Sequence, residues 1–261
     1  MNADALRSYL RTHFNDVQGW SSPWLWQLIG PLAARQAALG LRAPVAEIGV
    51  FQGKFFIGLT LLQGVPRGNH AIDVFDMQAF NLDKAGAGDL KAFQANLARC
   101  GVPAESVTIL RADSMTLTDQ QLNAIRAHTG GFSFFSVDGC HLPQHTVNDI
   151  MAAMRVTAPQ GIIFVDDFTN QDWPGVQEGV ARLYLLDTPR FVPLAVIHNK
   201  LVLCHLSWHA QWLDWMRSAL RRQAGLVIKE VTMYGYTCLS LKPDTSRGLA
   251  YLDDPAWLAV E

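Results

Sequence analysis

Cysteine is scarce and scattered. The four residues, Cys100, Cys140, Cys204 and Cys238, form no CxxC pair and no dense framework. That excludes a disulfide scaffold and a cysteine zinc site, and it fits a reducing cytoplasm. No apolar stretch reaches the ~18 residues that a membrane span needs. The opening residues, Met1-Asn-Ala-Asp-Ala-Leu-Arg7, lack the basic segment followed by an apolar core that marks an export signal. The expectation is therefore a cytoplasmic protein with no membrane partner. An excess of one charge is missing too: 21 basic and 23 acidic residues leave a formal charge of −2, with no electrostatic footprint for nucleic acid. Repeats and low-complexity tracts are absent, and so is the dinucleotide fingerprint GxGxxG, because Phe51 stands where its second glycine would be.

What the chain does have is material for a core. With 49% hydrophobic and 17% charged residues it is not disordered, and 261 residues suit one large α/β domain with modest extensions. The organising stretch is Phe132 to Asn170. An apolar run, Phe132 to Val137, ends in Asp138; a helical pattern led by Pro143 follows; a second apolar run, Gly161 to Val165, ends in Asp166 and Asp167. Strand, helix and strand of these lengths predict a βαβ unit, whose right-handed crossover makes the strands parallel. Their carboxyl ends then open on the sheet edge where α/β folds bind ligands. One aspartate ending a strand is ordinarily a turn or cap residue. Three on one edge repel one another and call for a cation, a base or a proton.

The other elements fall into place around this unit. Residues 1–20 read as a short helical arm. A helix from Trp24 to Leu39, between Pro23 and Gly40, reads as a cover for the core in preference to a substrate lid. Val45 to Val50 is the first strand, and Gly49 and Gly53 let backbone approach a ligand as it turns into a helix through Leu62. His70 to Phe75 is the second strand, carrying Asp73, and a glycine- and alanine-rich loop spans Asp76 to Gly88. A helix from Leu90 to Cys100 leads to the third strand, Ser106 to Leu110, which runs on to Asp113 and Ser114, and Thr118 to His128 is helical. Beyond the fifth strand, a helix ends near Leu186, and a hairpin pairs Phe191–Ile197 with Leu201–Leu206 through His198-Asn-Lys200. Trp208, Trp212 and Trp215 stripe the next helix, to Gln223, as core or subunit interface rather than as a cofactor site. Val227–Met233 and Tyr236–Leu241 read as a further strand pair, and the tail from Pro243 as loop, with Trp257 an anchor.

Five β/α units closed by an antiparallel hairpin resemble the class I S-adenosylmethionine-dependent methyltransferases, over roughly Val45 to Leu206. Glu47-Ile-Gly49-Val-Phe-Gln-Gly53 resembles the family's first motif, which wraps the methionine part of the cofactor, although Phe51 replaces a middle glycine. The resemblance implies that Asp73 accepts the ribose hydroxyls and that Asp113 and Ser114 meet the adenine. It implies a Rossmann-like three-layer α/β sandwich, with a mostly parallel seven-stranded sheet, N-terminal helices and a C-terminal helix and strand extension. The expected organisation is 1–44 as an N-terminal arm, 45–206 as the cofactor-binding core and 207–261 as an extension of the same globular unit.

Asp138, Asp166 and Asp167 are similar to the ligands that hold Mg²⁺ or a similar divalent cation in bacterial sugar and natural-product O-methyltransferases and in the catechol type. In the catechol type a basic residue three positions past the strand-four acid acts as general base, which implies that role for His141, with Asp138 also catalytic. Sugar-modifying relatives place an acid two positions past it, where this chain has Cys140. The implied partner is a small hydroxylated acceptor, and the tryptophan stripe with the extra strand pair suits a homodimer. Alternatives stay open: a metal-independent methyltransferase, a hydroxylase-like relative on the same scaffold, or an inactive cofactor-binding subunit.

Overall fold

The computed structural model describes residues 1–258 apart from 187–188 and 224. Apolar runs of four to nine residues make the central strands: β1 (Val45–Ile48), β2 (Asn69–Asp73), β3 (Val107–Arg111), β4 (Phe132–Val137) and β5 (Thr157–Val165). Each is followed by a helix before the next strand, and local chemistry sets the ends. The helix α3 (Lys54–Gln63) starts at Gly53 and stops at Gly64, both left-handed, and Asp89 caps α4 (Leu90–Arg99). Thr118 and Gln121 form a capping box on α5 (Asp119–Thr129), and Pro143 opens α6 (Pro143–Val156), where a missing N–H is harmless. After α7 (Pro174–Leu186), β6 (Phe191–Ile197) and β7 (Lys200–His205) form the antiparallel hairpin.

The β1 to β5 pairings are parallel, and β7 inserts antiparallel between β5 and β6. The sheet departs from expectation in its size. It has nine strands, in the order β3-β2-β1-β4-β5-β7-β6-β9-β8, because β8 (Leu226–Met233) and β9 (Tyr236–Pro243) continue it. Seven strands would leave β6 as an edge of unpaired N–H and C=O groups; β9 covers it by parallel pairing from Ala195↔Leu239 to Ile197↔Leu241.

Helices pack on both faces. One buried cluster gathers α1 (Ala3–Thr12), α2 (Trp26–Ala38), α3 and α8 (His209–Ala219) on one side, and a second gathers α6 and α7 on the other. Trp212 and Trp215 of the tryptophan stripe are buried inside this protomer, so the stripe gives no support to a homodimer. The tail is a series of 3₁₀ turns rather than plain loop. It ends with Trp257 fully buried, its indole N–H donating to the Trp26 carbonyl at 2.8 Å. All four cysteines are free.

Candidate active site

The end of β1 and the end of β4 almost touch. Gly49 has φ +82°, and a Cβ there would lie 1.7 Å from the Asp138 carbonyl oxygen, so only glycine fits. Phe51, in place of a middle glycine, nevertheless takes the left-handed conformation a glycine would, with φ 51°. Its N–H donates to Asp73 Oδ2 at 2.8 Å, while the Phe75 N–H donates to Oδ1, so Asp73 ties the two strand ends together. Burial is the main influence on Asp73 and raises its carboxyl, against these backbone donors.

A cavity of about 680 Å³ opens over these strand ends. Gly49, Asp73, Asp113 and Ser114 line one side of it, and Asp138, His141, Asp166 and Asp167 the other. Glu47 lies behind, 1% exposed, on a small recess shared with Gly49, Lys54 and Asp138, and Gly53 sits in the turn against Phe93, off the cavity. Asp113 caps the 3₁₀ turn Ser114–Thr116 by accepting from the Met115 N–H at 2.9 Å. The loop of residues 76–88 arches across the opening, with Phe80 and Leu82 exposed at the rim. Trp20, from the segment after α1, leans on Phe51 with ring centroids 5.1 Å apart.

His141 is held on three sides. Its own N–H and its ring Nδ1 both reach Asp83 Oδ2 at 2.7 Å, and Nε2 lies 3.0 Å from Asp167 Oδ2. Trp173 stacks on the ring, with centroids 4.2 Å apart and planes at 15°. Burial opposes the charged ring, but the bonds to Asp167 and Asp83 outweigh it and raise its pKa to about 9. An imidazolium donates from both nitrogens and so satisfies both aspartates. Burial also works against an ionised Asp83 and an ionised Asp167, yet the His141 bonds hold both below the usual carboxylate range.

The three strand-end acids are not equivalent. Asp138 is pushed well above the usual range by burial and then by Asp166, with Lys200 opposing. Asp166 accepts the Asp167 N–H on Oδ1 at 2.8 Å and pairs through Oδ2 with the Lys200 ammonium. Asp167, at φ 55°, also accepts on Oδ1 from the side-chain amides of Asn170 at 2.8 Å and Asn199 at 3.0 Å. The donor atoms that converge are therefore those of Asp138, Asp167 and His141, all within 4.8 Å of one another, while Asp166 turns to Lys200.

Four residues here escape sequence reasoning: Asp83, Trp173, Asn199 and Lys200. Asp83 sits in a loop without periodicity. Lys200 did leave a signal, a lone cation opening the apolar run Leu201-Val-Leu-Cys204.

Residues 46–168 match the family described as a methyltransferase domain. That match runs from β1 to just past β5 and takes in a little under half of the chain. No curated protein matches it in sequence. Among solved structures, the chain is similar to the O-methyltransferase NovP at 13% identity and a TM-score of 0.54, over 69% of this chain and 79% of that one. An O-methyltransferase from Bacillus cereus in complex with SAH is 17% identical, with a TM-score of 0.50 over 76% and 89% of the two chains. A putative O-methyltransferase from Klebsiella pneumoniae is 16% identical, with a TM-score of 0.51 over 77% and 88%. At these identities the likeness is one of fold. Among the described residues no helix is long and apolar enough to cross a membrane.

Proposed function

We propose that the chain transfers the methyl group of S-adenosylmethionine to a hydroxyl of a small molecule of sugar or natural-product type, with help from a divalent cation. The observation that carries this is one cavity with two chemically distinct ends. The Asp73 end suits a nucleoside: a buried carboxylate for the ribose hydroxyls beside Asp113 and Ser114 for the base. The close approach at Gly49 leaves backbone open to the methionine part, with Glu47 behind it. The other end gathers acids and a histidine where the acceptor would sit. The O-methyltransferase neighbours support the same acceptor chemistry. The test is a screen of hydroxylated metabolites for methyl transfer from a labelled donor, with and without chelator; no labelled product from any acceptor class would reject it.

Transfer from a sulfonium is an in-line displacement with a good leaving group, so the protein must position the acceptor and make it nucleophilic. His141, oriented by Asp83 and Trp173, presents Nε2 to the cavity and accepts the hydroxyl proton there once it is neutral. Asp138, with a carboxylate oxygen within 4.8 Å of the His141 ring nitrogen, borders the acceptor at the same end of the cavity and positions it. The donor set fits a hard ion: Mg²⁺ or a similar cation would be held by Asp138 and Asp167, and would supply acidification of the hydroxyl.

Asp73→Ala is expected to weaken S-adenosylhomocysteine binding about tenfold or more, because two ribose hydroxyls lose a charged acceptor worth roughly 1.5–3 kcal/mol. Unchanged affinity in calorimetry would move the ribose acid elsewhere. Asp138→Ala and Asp167→Ala should each remove most activity yet hold S-adenosylhomocysteine affinity within about threefold, since both lie at the acceptor end. Chelation should inhibit the parent and Mg²⁺ or Mn²⁺ restore it. Full turnover in chelator would leave Asp138 as a hydrogen-bonding residue only.

A further inference from the structure

Lys200 plays no part in the reaction described above, yet its side chain is 1% exposed and points at the acids. Its ammonium pairs with Asp166 and stands 4.6 Å from the centre of the Phe55 ring. Strand register explains the meeting. Val165 lies opposite Leu201 in the antiparallel β5·β7 pair, so Asp166 and Lys200 are the next residues along the two strands. The same register places Glu47 beside Ser136, Ser136 beside Phe164 and Phe164 beside Val202. Residues two apart on a strand share a face. Glu47, Asp138, Asp166 and Lys200 therefore project from one face of four adjacent strands, three carboxyl groups and one ammonium in a row.

A buried pair of this kind is no better for stability than two well-packed apolar side chains. Its presence here has a consequence for the site. A cation reaching Asp166 would have to displace an ammonium already in contact with Oδ2, while Oδ1 is occupied by the Asp167 N–H. We propose that Lys200 is a built-in counter-cation: it fills the place beside Asp166 that a metal ion would otherwise take, and it confines any divalent cation to Asp138 and Asp167. This rests on the acceptor end being the cation site of the proposed function, and it makes Lys200 the residue that sets the number and placement of positive charges there.

The test is Mn²⁺ binding to the full chain, followed by electron paramagnetic resonance with no acceptor present. Lys200→Met removes charge and donor; Lys200→Gln removes the charge and keeps a donor for Asp166. Each should bind Mn²⁺ at least about tenfold more tightly than the parent, because Asp166 becomes an open, unbalanced ligand. The double variant Lys200→Met with Asp166→Asn should return to within about threefold of the parent. Folded single variants with the parent's Mn²⁺ affinity overturn the proposal, and so does a double variant that stays as tight as the singles. If the single variants do not fold, the double variant decides: parent-like affinity supports the proposal, and a tenfold change in either direction rejects it. S-adenosylhomocysteine calorimetry and the acceptor screen on the parent report separately on the proposed function, so a methyltransferase reading that fails leaves the Mn²⁺ pattern to be judged on its own.

Discussion

Replacing His141 by alanine is expected to slow methyl transfer by about 10²–10⁴-fold, the range for loss of a positioned general base. S-adenosylhomocysteine affinity should stay within about threefold, since His141 stands at the opposite end of the cavity from Asp73. The pH profile gives an independent reading. In the free protein Asp83 and Asp167 hold the imidazolium with a pKa of about 9. The proton must leave before Nε2 can act as a base, so kcat/KM should rise with pH and level off above about 9. Asp83→Ala removes one of the two carboxylates that favour the charged ring and should move that limb to lower pH. It also releases the Nδ1 contact that sets the ring's orientation, so the plateau itself should fall. A rate unchanged in His141→Ala, or a profile flat across this range, would place the base elsewhere.

The largest effect on stability is expected at Lys200. Lys200→Met leaves Asp166 buried without its cation, and breaking one half of a buried pair costs about 3–5 kcal/mol. Chemical denaturation should show it as a lower midpoint with an unchanged slope. Adding Asp166→Asn should recover most of the loss, since it removes the stranded charge that makes the single change costly. A single variant as stable as the parent would mean that Asp166 takes up a proton, or finds another partner, without strain.

The sheet's centre was legible because its signals are local and repeated. Phe132 to Val137 and the helix start at Pro143 could be placed from apolar period and a helix-opening proline, and the structure keeps them, although the helix stops at Val156 and the next strand begins at Thr157, ahead of the expected Gly161. The aspartates at 138, 166 and 167 were placed by the same logic, since a crossover fixes which strand ends share an edge. Phe51 shows where pattern fails: a residue that breaks a glycine motif still adopts glycine's backbone angle, because Asp73 accepts its N–H from the next strand. The ninefold sheet was missed for a related reason. Tyr236 to Leu241 read as a strand, but nothing in the run says that its partner is β6, more than 40 positions earlier, as well as β8. Asp83 left no signal as a site residue and Lys200 only a lone charge at the head of an apolar run, because their roles come from contacts 58 and 34 positions away in sequence.

The two ends of the chain meet in a way that bears on how the molecule comes to exist. Arg7 donates to the Leu252 carbonyl, Arg11 pairs with Asp253, and Trp257 lies against Gly30 while bonding to the Trp26 carbonyl. During synthesis α1 and α2 leave the ribosome ahead of the strands, yet the side chain that completes their buried face is more than 200 residues behind. Contacts of such separation form late and slow folding. Until Trp257 arrives, α2 presents an open apolar notch at Gly30.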